Sequence, residues 1–448
     1  MWTMIRILSI LILLYLFPAL RSDEFSLESM LGTKGELFNT CDADMFLVPG
    51  TVNHRYFSWT SAKRDSARYP GYANSPRNLS FAGLPVSEAI FHFEKRSLTD
   101  IHLSLFNRGD DGQITLENFN ALLKTIDDTL SSRSNAKGLE RKGRYGNDAE
   151  SWRKVWSDGN LAYILRWNIS KEGRRKEDQP EFIQLDISPF DPQNDPRQLK
   201  SVTRVSRKDL KNKTELAKNV VRQKNGTVFI DGIPMVNQGN KGYCAAALSE
   251  RLLKYFGNSE ITQHTIAQLA DVSATHGTSY EQMLTAIQKS GRKLGLKMES
   301  DYQLFEDFHS VEKILKDYNS LARRRKLPTI KRSRGMVDVG LLLASMDIEL
   351  FLELREDENR ERQAFFRTLR KNIDSGLPLV WGVFLGLQPE PGIPTGQAGG
   401  HLRLIIGYNP QSQSIIYSDT WGDGHEKKEM SLIQAWNITH STFTCEPW

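Results

Sequence analysis

The 448-residue sequence predicts an α+β protein in two parts, on three observations. Four N-terminal segments alternate apolar and polar residues, Ala89 to Lys95, Ile101 to Phe106, Leu161 to Ile169 and Phe182 to Ile187, the period of an antiparallel, half-exposed sheet. Between the two pairs, Thr115 is placed to cap a helix whose apolar stripe, Leu116, Phe119, Leu122, Leu123, Ile126 and Leu130, is spaced to cover one sheet face. From Thr227 the texture changes: a helix-forming stretch, Ala245 to Phe256, precedes β-type runs at Pro378 to Leu385, His401 to Tyr408 and Ser414 to Ser418.

In chain order, Arg6, the apolar run Ile7 to Phe17 and the small Ser22 predict a signal peptide over 1–22, hence a secreted, periplasmic or cell-envelope location. Leu20 suits the cleavage site poorly, so an uncleaved anchor stays open, although the run is short for a span. No other stretch is apolar enough to cross a bilayer. A smaller sheet-and-helix domain is expected over 23–190. Inside it, NRGDDGQI sets Gly112 and Ile114 where a calcium loop has its bend and hydrophobic residue, but Gly109 and Asn118 then fall on ligand positions. A turn leading into the helix is the better expectation.

A polar, basic linker is expected over 191–226, opened by Pro192 and Pro196 and holding a short helix around Leu210 to Val221. The second domain, 227–448, adds the strand Val228 to Ile230 and helical segments near His264 to Leu269 and Tyr280 to Lys289. It carries a charged helical insertion at about 300–375, with helices at Val337 to Glu353 and Asn359 to Ile373 and an exposed bend at Arg323, Arg324, Arg325, Lys326 and Pro328.

Hydrophobic content of 39% and charged content of 25% exclude the disordered and fibrous classes. The net charge of +5 arises locally: ten Lys or Arg face two acids between Arg197 and Gly226, and Arg323 to Arg334 holds seven more. Neither run interleaves aromatic residues as a base-stacking platform would, so both read as solvated segments and no nucleic-acid partner is expected. Three cysteines are too few for a disulfide framework. Cys41 and Cys445 could tie the two ends of the chain together, which leaves Cys244 as the thiol of interest. Metal-ligand spacing, phosphate loops and dinucleotide fingerprints are missing from the sequence, so no metal or cofactor is expected. Sequons at Asn78, Asn168, Asn212, Asn225 and Asn437 are glycan sites only in a host that glycosylates exported proteins.

Chemistry concentrates at residues 233–257, IPMVNQGNKGYCAAALSERLLKYFG, where Cys244 opens a helix behind a glycine-containing loop. The partial positive charge of a helix N-terminus favours thiolate, and the Cys244 N–H can face a developing oxyanion. Gln238, six residues upstream, supplies a second donor to the same oxygen, and Gly239 and Gly242 let the loop approach a substrate. Among the nine histidines, His401 follows Gly399 and Gly400 and opens the strand HLRLIIGY, where its ring can project over a site edge. Asp419, at the end of SIIYSD, is placed to accept the His401 Nδ1–H across the hairpin, the third role of a triad. Of the other histidines, His425 in its glycine-rich loop is the best substitute for His401; His264, His276 and His440 lack a paired acid. Singly, each residue has a bland reading: an inert buried thiol, a loop amide, a strand histidine, a turn acid. Their agreement on one mechanism in one chain order raises the set above them.

This arrangement resembles the papain-like cysteine peptidases: Gln, then Cys six residues on at a helix start, then a distant His on a strand, then Asp followed by Xaa-Trp-Gly. QGNKGYC, GTSYEQMLTAI, GGHLRLIIGY and SDTWG look most like the branch of double-glycine leader peptidases and their exported relatives, over about residues 227–448. The resemblance implies a catalytic domain with an N-terminal helical lobe bearing the nucleophile helix and a C-terminal antiparallel sheet. Carried over residue by residue, it implies Cys244 as nucleophile, His401 as base then acid, Asp419 as orienter, Gln238 as oxyanion donor and Trp421 as a shield over the His–Asp pair. GYC lacks the small residue and cysteine that precede papain's nucleophile, and Asp419 stands where papain has Asn. The expected reaction is peptide hydrolysis through a thioester on Cys244, with a peptide or protein as the partner. An amidase or acyltransferase using the same thiol, and a non-catalytic papain-fold binding protein, are the alternatives.

Overall fold

A computed structural model of the chain describes residues 25–71, 78–145, 149–172, 177–198, 210–239, 242–258, 261–270, 296–331, 339–391 and 399–447. The expected signal peptide, the helix Tyr280 to Lys289, the segment GTSYEQMLTAI and His276 lie outside them. The architecture is mixed α+β in two compact units, one essentially up to Ser201 and the other from Val202. Among the described residues, no helix is long and apolar enough to cross a membrane.

In the first unit, strands β1 (Ser58–Trp59), β2 (Ser66–Tyr69), β3 (Glu88–Glu94) and β4 (Ser97–Asn107) are followed by helix α1 (Leu116–Ser134) and strands β5 (Leu139–Tyr145), β6 (Ala149–Ser157), β7 (Leu161–Glu172) and β8 (Glu177–Pro189). They form one eight-stranded sheet in the order β1-β2-β3-β4-β8-β7-β6-β5, antiparallel at the six pairings from β1 through to β6. Thr115 caps α1 by accepting the Asn118 N–H at 3.2 Å, and Phe119, Ile126 and Leu130 enter the same core as Ile101, Leu103, Leu185 and Leu165. NRGDDGQI is a helical turn, Arg108–Asp111, that leads from β4 towards α1. Asp111 is used there to accept the Asn107 N–H and the Ser87 hydroxyl.

The second unit begins inside the stretch read as a linker. Helix α2 (Lys213–Ala217) is closed by an Asn212–Glu215 capping box, and strand β9 (Val220–Arg222) pairs with β10 (Val228–Ile230). Leu216 is fully buried there. One apolar side chain and three strand residues suffice to fold this segment onto the second core, a signal too short to see among ten cations.

Next come α3 (Cys244–Tyr255), α4 (Gln263–Ala270), β11 (Leu296–Gln303), α5 (Phe308–Arg325), α6 (Val339–Ala344), α7 (Ile348–Glu356) and α8 (Asn359–Asp374). The chain closes with β12 (Leu379–Leu385), β13 (Gly399–Asn409), β14 (Ser414–Ser418), β15 (Lys428–Ser431), α9 (Leu432–Ile438) and β16 (Thr439–Pro447). The sheet order is β9-β10-β13-β12-β16-β11, with β14 on β13 and β15 on β14, again antiparallel.

The insertion is smaller than its charge suggested. Helices α5, α6 and α7 share a separate apolar cluster of Val311, Ile314, Tyr318, Leu342, Leu350 and Phe351, whereas Phe365, Phe366, Leu369 and Ile373 of α8 belong to the main core. The helix expected over Val337 to Glu353 is broken, because Asp347 caps α7 by accepting the Leu350 N–H at 3.0 Å. None of the three cysteines is in a disulfide, so the Cys41–Cys445 bridge is not made. Cys445 is instead a fully buried strand residue whose thiol burial pushes up to about 12.

Candidate active site

Helix α3 starts at Cys244 and is buried along nearly its whole length, from Ala245 to Tyr255. A helix buried on all faces must satisfy its polar residues internally. Glu250 accepts the Gln263 N–H at 2.5 Å and pairs with Lys254 at 2.7 Å. Arg251, two turns from Cys244, donates to Pro234 O at 2.8 Å, Asp419 O at 2.6 Å and Ser418 Oγ at 2.6 Å. The nucleophile helix is thereby tied to the loop before Gln238 and to the segment that bears Asp419. Burial lowers the Arg251 guanidinium to about 10 against the opposing pull of Asp419 and Glu426, and it stays charged at neutral pH.

His401 lies on β13, third from its start, paired with Val383 of β12. Asp419 directly follows β14, whose Ser418 pairs with Leu404, so the hairpin brings the acid back beside the ring. The His401 Nε2 to Asp419 Oδ1 distance is 2.5 Å. The expected contact was through Nδ1; the structure uses Nε2 instead. The Cys244 thiol is hydrogen-bonded to the same ring. With Nε2 taken by Asp419, Nδ1 is the nitrogen left for the sulfur. Trp421 stacks on the imidazole, centroids 4.4 Å apart and planes 13° from parallel, and covers the pair.

Burial alone would depress the His401 ring, but the Asp419 charge and the hydrogen bonds to Asp419 and Cys244 outweigh it and push it up to about 9. Burial would likewise raise Asp419; the charges of His401 and Arg403 instead hold it down at about 2. The imidazolium–carboxylate pair is therefore the favoured state at neutral pH.

Gln238 is buried and held at two points by Thr420. Its N–H donates to Thr420 O at 2.8 Å, and its Oε1 accepts the Thr420 hydroxyl at 2.5 Å. With the oxygen occupied, the amide presents its NH2 as the donor end. Gly239 follows at φ +68°, a conformation glycine adopts without strain.

All four expected site residues thus come together in one unit. The substitute histidine does not join them: His425 lies edge-on to Trp421 at 5.4 Å, on the indole rather than at the thiol, and its carbonyl accepts the Asp419 N–H at 2.8 Å. His264 packs against Tyr243. His440, on β16, is completely buried next to His401; burial and the neighbouring charges of His401 and Arg355 lower it to about 3, so it is a neutral wall. Sequence reading missed Thr420, Arg251 and Arg403. The signals were present but weak: a hydroxyl between Asp419 and Trp421, a cation seven residues along the helix from Cys244, and a cation inside an apolar strand. No group of three metal-ligating side chains occurs among the described residues.

Residues 356–443, which contain both His401 and Asp419, match the profile of the Peptidase_C39 like family. The likeness is to papain-like cysteine peptidases. The papain-like match leaves Cys244 and Gln238 outside its span, and they join it only through the contacts above. No curated protein matches the chain. Among solved structures, the crystal structure of xylellain, a cysteine protease from Xylella fastidiosa, is similar at 12% identity, covering 55% of this chain and 93% of that chain, with a TM-score of 0.26.

Proposed function

We propose that the protein is an exported cysteine peptidase that hydrolyses peptide bonds through a thioester on Cys244. The observation that carries this reading is the hydrogen-bonded run from the Cys244 thiol through His401 to Asp419, with the Gln238 amide held by Thr420, the residue after Asp419. In this reading 227–448 is a papain-like domain, α3 belonging to its helical lobe and His401 to its antiparallel sheet, and 23–190 is an appended unit.

In the reacting pair the thiol proton already rests on His401 Nδ1, as the imidazolium favoured at neutral pH requires, and the thiolate adds to the scissile carbonyl carbon. The Cys244 N–H and the Gln238 amide receive the oxyanion. The imidazolium then returns its proton to the leaving amine as the C–N bond breaks. In the second half, His401 takes a proton from water, hydroxide adds to the thioester, and the thiolate leaves with the carboxylic acid released. Asp419 keeps the ring oriented throughout and stabilises its charged form.

The test is mass spectrometry of the full chain after brief exposure to an epoxysuccinyl peptide, with His401→Ala as control. Rapid single labelling at Cys244 that collapses in the variant is expected. A Cys244 that stays unlabelled, or that reacts equally in both proteins, would leave a papain-fold binding protein as the reading.

A further inference from the structure

Arg403 is fully buried in a strand segment whose neighbours are Leu402, Leu404, Ile405 and Ile406. It stands two residues beyond His401, so both side chains leave the same face of β13. Its guanidinium is shared by two acids: Nη1 donates to Glu390 Oε2 at 3.0 Å, while Nη2 lies 2.9 Å from Glu390 Oε1 and Nε 3.0 Å from Asp419 Oδ2 as ion-pair contacts without hydrogen-bond alignment. The Tyr417 hydroxyl donates to the same Glu390, and the guanidinium lies 4.9 Å over the Tyr417 ring. Imidazole, carboxylate, guanidinium and carboxylate therefore alternate inward from the thiol.

Filling that space does not require a cation. An apolar side chain of similar volume would avoid the desolvation that a buried ion pair incurs. What the guanidinium adds lies at Asp419, whose Oδ1 is engaged by His401 and whose Oδ2 has Arg403 as its counter-charge. We infer that Arg403 is a positioning residue for the proposed reaction, holding the Asp419 carboxylate ionised and turned edge-on to His401 so that the imidazolium never loses its partner. This rests on the peptidase reading above.

Other groups face the same carboxylate. Lys428 of β15 adds a weaker positive field, and from α3 Arg251 bonds the Asp419 carbonyl while Cys244 bonds the ring. His425 holds the Asp419 N–H, Glu390 and Tyr417 lie beyond Arg403, and His440 on β16 is neutral. Among the described residues, Arg403 is the cation in ion-pair contact with the oxygen that His401 does not use.

The test uses Arg403→Met/Glu390→Gln, which leaves neither charge buried alone, and Arg403→Lys, which keeps the charge and loses the fork. Cys244 alkylation by iodoacetamide and hydrolysis of a fluorogenic peptide are followed against pH, with the downfield proton NMR signal of the His401–Asp419 hydrogen bond as a readout independent of turnover. In the double variant, hydrolysis is expected to fall about tenfold at neutral pH, and its acid limb and the pH at which the NMR signal disappears should both move up by about one unit, because Asp419 then protonates more readily. Arg403→Lys should keep the limb while losing about three- to tenfold in rate. A uniform loss with an unmoved limb and signal would assign Arg403 a merely structural role and overturn the inference. If the double variant does not fold, Arg403→Lys decides, and a rate equal to wild type overturns it. A wild-type Cys244 with the pH profile of an ordinary thiol would be the failure of the peptidase reading itself, and the inference falls with it.

Discussion

His401 presents Nε2, not Nδ1, to Asp419, at 2.5 Å, and the ring's other face of reactivity is thereby turned to Cys244. The acid fixes which nitrogen carries the shuttled proton. An asparagine at 419 keeps an acceptor for His401 but gives up the negative charge that holds the imidazolium and faces Arg403. Asp419→Asn should lower kcat by roughly 10²- to 10⁴-fold with KM little changed, read from hydrolysis of a fluorogenic peptide by stopped-time assay.

Gln238 owes its orientation to Thr420. Gln238→Ala should cost about 10²- to 10³-fold in kcat, as expected for one oxyanion donor. Thr420→Val should cost less, about tenfold, because it frees the amide to turn without deleting it. Equal rates of Cys244 alkylation in both variants would separate this loss from damage to the thiol–imidazole pair.

The His401–Asp419 pair also makes a prediction for stability against pH. His401 is raised from 6.5 to about 9, so its contribution is complete below 6.5 and is lost as pH rises through 9. Asp419 is lowered from 3.8 to about 2, so its contribution is complete above 3.8 and is lost as pH falls through 2. Calorimetry of wild type against His401→Gln should show the wild-type excess in Tm as a plateau between these limits that declines through pH 7 to 9. An excess that grows over that range would contradict the pairing.

Arg251 joins three backbone or hydroxyl acceptors on two segments. Arg251→Met should destabilise the second unit by roughly 3–5 kcal/mol, since the buried acceptors at Pro234, Ser418 and Asp419 lose a charged donor together. Denaturant unfolding measures it; a loss below about 1 kcal/mol would mean that water replaces the guanidinium.

Much of this was legible in the residues themselves. Thr115 and the stripe through Leu130 declared α1, and the alternation around Ile101 and Ile183 declared the sheet, but the half-exposure expected of it is not seen there, since His102, Ser104 and Gln184 on the alternate positions are buried as well. Helix α5 was not recognised: its apolar residues Val311, Ile314, Leu315 and Tyr318 are diluted by a charged face, and Arg323 to Lys326 drew attention to the bend alone. The linker reading failed at Leu216 and Val220 for the same reason, as a few contacts made at long range outweigh ten local charges.

The sequence by itself determined the reacting groups and their order along the chain, since a thiol at a helix start, a histidine opening a strand and an acid closing the hairpin are local features with local causes. Tertiary structure alone decided which imidazole nitrogen meets Asp419, that Thr420 aims Gln238, and that Arg251 and Arg403 close around the acid. These depend on side chains separated by up to 182 positions, as between Gln238 and Thr420, meeting within 2.5 to 3.0 Å in a space from which water is excluded. No periodicity along the chain encodes such distances; the packing of α3 against β13 and β14 sets them.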